Sequence, residues 1–245
     1  MAEAIPNIVP ADDPSLTSTM VDITGGAGVV KGFLSHPKDG RNLGAVIVIH
    51  ENKGLVDHIK DVARRFAKEG FVALAPDLLS RLGGTPQYKT EDDQVAAIGK
   101  LTKDGVVDDL SSCVDYLKKI NFGNGRVGVV GFCWGGGQSL NFATKCKDLN
   151  AAIVYYGRNP DPLDAVQNIP CPVLGNYGAE DKNITPGVTP LQEAMKKFGK
   201  SLDSKIYPGA PHAFNNNTNA GRYHPEAAKD AWSRSVNFYK KNLAA

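Results

Sequence analysis

A rhythm restricts this chain more than any other feature: a short β-branched run, then an amphipathic helical stretch, repeated along 245 residues. Ala45-Val-Ile-Val-Ile49 has the length and composition of a strand covered on both faces. Residues Ile59 to Lys68 then set Ile59, Val62, Ala63 and Phe66 on one helical face, with Gly70 as a stop. Phe71 to Ala75 is the next strand, closed by Pro76. Further strands are expected at Val127–Gly131, Ala151–Tyr156, Val173–Tyr177 and Ser204–Tyr207. Helices are expected at Glu91–Leu101, Val106–Ile120, Gly135–Lys145, Pro190–Phe198 and Pro225–Asn242. Near the start, Met20–Ile23 and Val29–Leu34 have the pattern of an antiparallel pair. Strands alternating with helices predict an α/β fold with a mostly parallel sheet of about seven to eight strands and helices on both faces. No Gly/Ser-rich linker or internal repeat divides the chain. The reading is an N-terminal arm over residues 1–18 and one α/β unit over 19–245.

Composition removes several classes of function. Lys plus Arg number 28 against 26 Asp plus Glu, and a net charge of +2 is too small for a general nucleic-acid or membrane-surface binder. Four cysteines in a chain this long, none spaced C-x-x-C, argue against a disulfide framework and against a zinc ribbon. Apolar runs such as Ala45–Ile49 are far below the roughly 18 residues of a membrane span. The first residues lack an apolar signal core.

The chemistry is concentrated in one turn. Gly131-Phe132-Cys133-Trp134-Gly135 joins a strand to a helix and is the cysteine form of the G-x-S-x-G nucleophile elbow. A nucleophile on so sharp a turn has strained dihedrals, and glycines two before and two after let strand and helix approach. The thiol then points away from the sheet over a helix N-terminus, whose partial positive charge favours thiolate. The N–H of Trp134 faces the same space as one oxyanion donor. A rival motif, G-x-G-x-x-G at Gly123–Gly128, precedes its strand and fails the dinucleotide-binding context.

A nucleophile needs a base, and the base an orienting acid, in the order nucleophile, acid, histidine. Asp181 lies just past the strand at Val173–Tyr177, with Glu180 competing beside it. His212 follows the strand at Ser204–Tyr207. Cys133, Asp181 and His212 thus fall in the required order, each after a separate strand. His50 ends a strand and is a further candidate to line the site.

Through these residues the chain resembles the dienelactone hydrolase family of the α/β-hydrolase fold, from about Gly28 to Leu243. The resemblance rests on His50–Leu55, Ala75–Leu78, Gly131–Gly136, Tyr155–Gly157, Gly178–Asp181 and His212–Phe214. It implies a Cys-His-Asp triad attacking lactones or small esters, with no metal or organic cofactor. It also implies that Glu51 contacts the resting thiol and that the Asn52 N–H is the second oxyanion donor. A carboxylate beside a thiol opposes thiolate, against the helix end, and the sequence leaves that contest open. Arg81 aligns with an arginine that holds the substrate carboxylate, and Tyr156, Phe214 and Asn216 join it as expected substrate contacts. Where the family carries a second carboxylate-binding arginine this chain has Asn216. That points toward another lactone or ester unless Arg158 or Arg222 supplies the charge. Arg158–Pro160, Pro86–Tyr88 and Asn215–Asn217 are expected as pocket walls or plain loops.

The functional expectation is a cysteine-dependent hydrolase of lactones or small carboxylic esters. Its partner is a small-molecule substrate, not nucleic acid or membrane, and it acts as a monomer or weak homodimer. Alternatives are the same triad acting on aryl esters, thioesters or phosphotriesters, and a non-catalytic binding protein. The chain as written reads as cytoplasmic. The Pro10–Pro14 stretch resembles the segment just after a twin-arginine leader, which keeps a periplasmic origin open.

Overall fold

A computed structural model describes residues 8–26 and 28–244. Its centre is one sheet of eight strands: β1 (Leu16–Gly25), β2 (Gly28–Pro37), β3 (Leu43–Ile49), β4 (Val72–Pro76), β5 (Gly123–Phe132), β6 (Ala151–Tyr155), β7 (Val173–Gly178) and β8 (Leu202–Tyr207). Their spatial order is β1-β2-β4-β3-β5-β6-β7-β8. The first two strands are an antiparallel pair and β2 meets β4 antiparallel; from β4 to β8 every pairing is parallel. The helices are α1 (Asp57–Lys68), α2 (Glu91–Ile98), α3 (Lys103–Lys119), α4 (Trp134–Ala143), α5 (Val188–Lys197) and α6 (Pro225–Asn242).

The alternation of side chains along each strand sorts the core into two layers. Val127 and Val129 of β5 join Ile47 and Ile49 of β3 under α3, α4 and α5. Val130 and Phe132 join Val46 and Val48 under α1 and α6 on the other face. Both faces are therefore covered, as continuous apolar strands require.

Most elements lie within a few residues of expectation; β5 takes in Gly123 to Arg126 ahead of the expected start, and three other boundaries show why such ends shift. Helix α3 starts at Lys103, not Val106, because the Thr102 hydroxyl accepts the Gly105 N–H at 3.1 Å as an N-cap. Helix α2 stops at Ile98, ahead of Gly99. Strand β1 begins at Leu16, inside the expected arm, and runs in register with β2 to Gly25. Of that arm, residues 1–7 lie outside the described residues. Val9 is docked on α1: its N–H donates to Asp61 (2.7 Å) and its carbonyl accepts from Arg64 Nε (2.8 Å).

Candidate active site

Five neighbouring parallel strands each deliver a site residue at their C-terminal ends, where ligands of open α/β sheets gather. Glu51 and Asn52 follow β3, Cys133 follows β5, Tyr156 follows β6, Asp181 follows β7 and His212 follows β8. Apart from the adjacent Glu51 and Asn52, these residues are far apart in sequence. The sheet order brings them together.

The turn at Cys133 has the strained geometry expected of it, with φ 55° and ψ −117°. The two flanking glycines are required by contact. A Cβ at Gly131 would lie 1.8 Å from the Gly135 carbonyl oxygen, and one at Gly135 would lie 2.3 Å from the His50 carbonyl oxygen. The Sγ of Cys133 is 3.1 Å from His212 Nε2. His212 Nδ1 is 2.5 Å from Asp181 Oδ2. The other Asp181 oxygen accepts the N–H groups of Asn183 and Ile184, both at 3.2 Å, so the carboxylate is held from both ends. Glu180, the competing acid, is exposed and faces Lys182 at 3.4 Å.

In the contest over the thiol's protonation, the surroundings of Cys133 favour the neutral form. Burial, the largest effect, and then the negative charge of Glu51 push Cys133 up to about 11, with the Trp134 N–H offsetting part. Glu51 is itself raised by burial, against the hydrogen bond it accepts from Asn216 Nδ2 at 2.8 Å. The helix end is one favourable contribution among larger opposing ones.

A cavity of about 610 Å³ opens over the thiol. Asn52, Cys133, Trp134, Tyr156, Asp181 and His212 line it. Tyr156 is fully buried at φ 40°, its ring 5.1 Å from that of His212, and among the described residues its hydroxyl has no partner. Arg81, Phe214 and Asn216 do not line it. The Arg81 guanidinium instead pairs with the buried carboxylate of Asp109, through Nε at 2.8 Å and through a second nitrogen. Phe214 turns into the core, where its ring meets Tyr156 edge-on at 5.3 Å. The positive φ of Ala213, 63°, makes that turn. Asn216 is spent on Glu51.

Three cations line the cavity in Arg81's stead: Arg158, Arg222 and Lys103. Among the described residues none of the three has an ion pair or a side-chain hydrogen bond. Arg222 is close enough to lower both Cys133 and Glu51. Lys103 carried no sequence signal, since it opens a helix remote from every motif. Of the unassigned stretches, Arg158–Pro160 is a cavity wall. Pro86–Tyr88 and Asn215–Asn217 are not part of it.

Among the described residues no group of three or more His, Cys, Asp or Glu is placed to hold a metal, and all four cysteines are free. No described helix is long and apolar enough to cross a membrane.

Several known proteins are similar to this chain in sequence and in fold. A protein of Saccharolobus solfataricus named "Putative carboxymethylenebutenolidase" is 36% identical over 247 residues, covering 86% of this chain and 94% of its own. The crystal structure of a protein from Klebsiella pneumoniae described as a "Putative Dienelactone Hydrolase" superposes with a TM-score of 0.85 at 30% identity, covering 92% of this chain and 99% of its own. A dienelactone hydrolase-like promiscuous phosphotriesterase from metagenomic libraries shares the fold, with a TM-score of 0.78 at 23% identity over 94% of this chain and all of its own. Residues 30–243 match the family as a whole, and the chain belongs to the dienelactone hydrolase family.

Proposed function

We propose that this protein is a cysteine-dependent hydrolase of small carboxylic esters or lactones that carry a negative charge. The observation that supports it most is the unbroken line from Asp181 through His212 to the Cys133 sulfur, at 2.5 and 3.1 Å, under an open cavity.

The chemistry is set by where the protons sit. His212 Nδ1–H donates to Asp181, so Nε2 is free to accept the thiol proton. Glu51 keeps the resting thiol protonated and takes part in removing that proton when substrate arrives. The sulfur attacks the carbonyl carbon, and the Trp134 and Asn52 N–H groups hold the oxyanion. The C–O bond breaks, and His212 returns its proton to the leaving oxygen, which a lactone keeps tethered. A water then loses a proton to His212 and attacks the thioester. The C–S bond breaks, the acid leaves, and the thiol is restored. No cofactor is needed for these steps.

The cations at the cavity wall suggest the substrate's charge. Arg158 and Arg222 replace Arg81 and the residue at Asn216 as the groups that would hold a carboxylate. The triad would also attack other activated electrophiles, and the phosphotriesterase that shares the fold favours including them in a panel. The test is p-nitrophenyl acetate hydrolysis by the wild type, by iodoacetamide-treated protein and by Cys133→Ala. Equal turnover in all three removes the thiol mechanism. Carboxylated lactones against neutral aryl esters and phosphotriesters then decide the substrate class.

A further inference from the structure

His50 is fully buried at the end of β3 and takes no part in the proton transfers of the ester reaction. Its two ring nitrogens have different partners. The backbone N–H of Leu78 points at Nε2, at 3.3 Å. A backbone amide only donates, so Nε2 accepts and Nδ1 carries the hydrogen. Nδ1 lies 2.7 Å from the carbonyl oxygen of Glu51 and donates to it. That carbonyl belongs to the same peptide unit as the Asn52 N–H. A trans peptide is planar, with its C=O and N–H pointing in opposite directions, so fixing one fixes the other. Among the described residues the Asn52 N–H has no acceptor, and Asn52 lines the cavity. A hydrogen bond to the carbonyl also polarises the amide and makes its N–H a better donor.

We infer that His50 is a positioning residue for the oxyanion hole: it clamps the Glu51–Asn52 peptide so that the Asn52 N–H faces the substrate carbonyl. The inference rests on the proposed hydrolase function, in which that N–H is an oxyanion donor. His50 also reaches the second donor. Its ring stacks on Trp134, with centroids 5.5 Å apart and planes 13° from parallel, and its own carbonyl oxygen sits against Gly135. Burial holds its imidazole below the ordinary range, so it stays neutral and keeps its tautomer.

The clamp has a support that gives the Ala75–Leu78 motif a purpose. Asp77 accepts the N–H of Leu79 (3.1 Å), and the N–H (2.7 Å) and hydroxyl (2.8 Å) of Thr85. The Thr85 hydroxyl in turn accepts the Leu55 N–H at 2.8 Å. The Asp77 carboxylate therefore fixes the loop that presents Leu78 to His50, and through Thr85 it fixes the far end of the 50–55 turn.

Two isosteres of opposite reach test the clamp. Asn places an amide NH2 where His carries Nδ1, whereas Gln places its amide near Nε2. His50→Asn, His50→Gln and His50→Phe are compared by kcat, KM, melting temperature and the rate of Cys133 alkylation by iodoacetamide. Alkylation displaces iodide at a saturated carbon and forms no oxyanion. The expected result is a fall of about 10²-fold in kcat for His50→Gln and His50→Phe, as for loss of one oxyanion donor. KM and alkylation hold, and His50→Asn recovers most of kcat. Equal kcat for the Gln and Asn variants overturns the inference. So does a parallel fall of alkylation, kcat and melting temperature in all three, the signature of a packing residue. Cys133→Ala separates the two levels: if it is inactive while His50→Gln turns over as wild type, only the clamp fails. If Cys133→Ala is fully active, the hydrolase reading fails and the clamp with it.

Discussion

The acid–base line and the cationic wall of one cavity are built on different principles. Cys133 directly follows β5, and Asp181 and His212 lie on the loops after β7 and β8, tied to each other and to the sulfur by hydrogen bonds. The cations are borne otherwise: Arg158 and Arg222 on loops and Lys103 at the first turn of α3, all exposed. Mutual hydrogen bonds and the amides that hold Asp181 leave these groups little freedom, so they stay at hydrogen-bond distance without substrate. Exposed cations on long side chains can adapt to a charged group instead. In the proposed reaction, chemistry belongs to the rigid half and selectivity to the compliant half.

That division is open to attack in order of expected effect. Cys133→Ala should cost on the order of 10⁴-fold or more in ester turnover, since the triad acts as a unit; a loss under tenfold would put the chemistry elsewhere. Asp181→Asn should lower kcat by about 10³–10⁴-fold through the wrong His212 tautomer. Glu180→Gln, removing the exposed competitor, should leave kcat unchanged.

Glu51→Gln sharpens the rigid half by pH. A carboxylate next to the sulfur raises the thiol, so removing its charge must lower the thiol from about 11. At a fixed pH below that value, each unit of lowering multiplies the thiolate fraction about tenfold. The iodoacetamide alkylation profile should therefore move to lower pH while ester turnover falls. A profile that stays in place would remove Glu51 from the thiol's surroundings.

On the compliant half, Arg222→Ala and Arg158→Ala should each raise KM for a carboxylated ester about tenfold, the low end for a charged hydrogen bond at an exposed position. A neutral ester should be unaffected. Arg81→Ala should do the reverse, leaving kcat/KM for the carboxylated ester intact. Loss of its pairing strands the Asp109 carboxylate, which is only 3% exposed, at a cost of about 1–3 kcal/mol. Thermal melting should register that as a fall of a few degrees. A selective loss of carboxylated turnover in Arg81→Ala would restore it as the substrate-binding cation.

Legibility tracked the same division. The G-x-C-x-G turn could be read because its signature spans five residues, although the backbone that demands the second glycine, at Ile49 and His50, comes from another strand. Asp181 and His212 could be read because a strand announces where its own C-terminal end lies. Arg81 misled because the partner that claims it, Asp109, lies on a helix 28 residues later. Phe214 misled because its ring is claimed by Tyr155, Tyr156 and Tyr207, and nothing in His212-Ala-Phe214 advertises those partners. His50 was visible as a strand end, but its task depends on Leu78, brought beside it by the pairing of β3 with β4.

By itself the sequence determined the layered α/β plan and which residues, in which order, the sheet brings together around the sulfur of Cys133. Both arise from short-range periodicity and from the backbone strain of a single turn. Only the tertiary structure decided the burial and charge around the sulfur, the cations that face the cavity and the contact of His50 with the Glu51 carbonyl. Burial, charge proximity and the direction of a peptide plane are properties of segments folded against one another, and no window along the chain contains them.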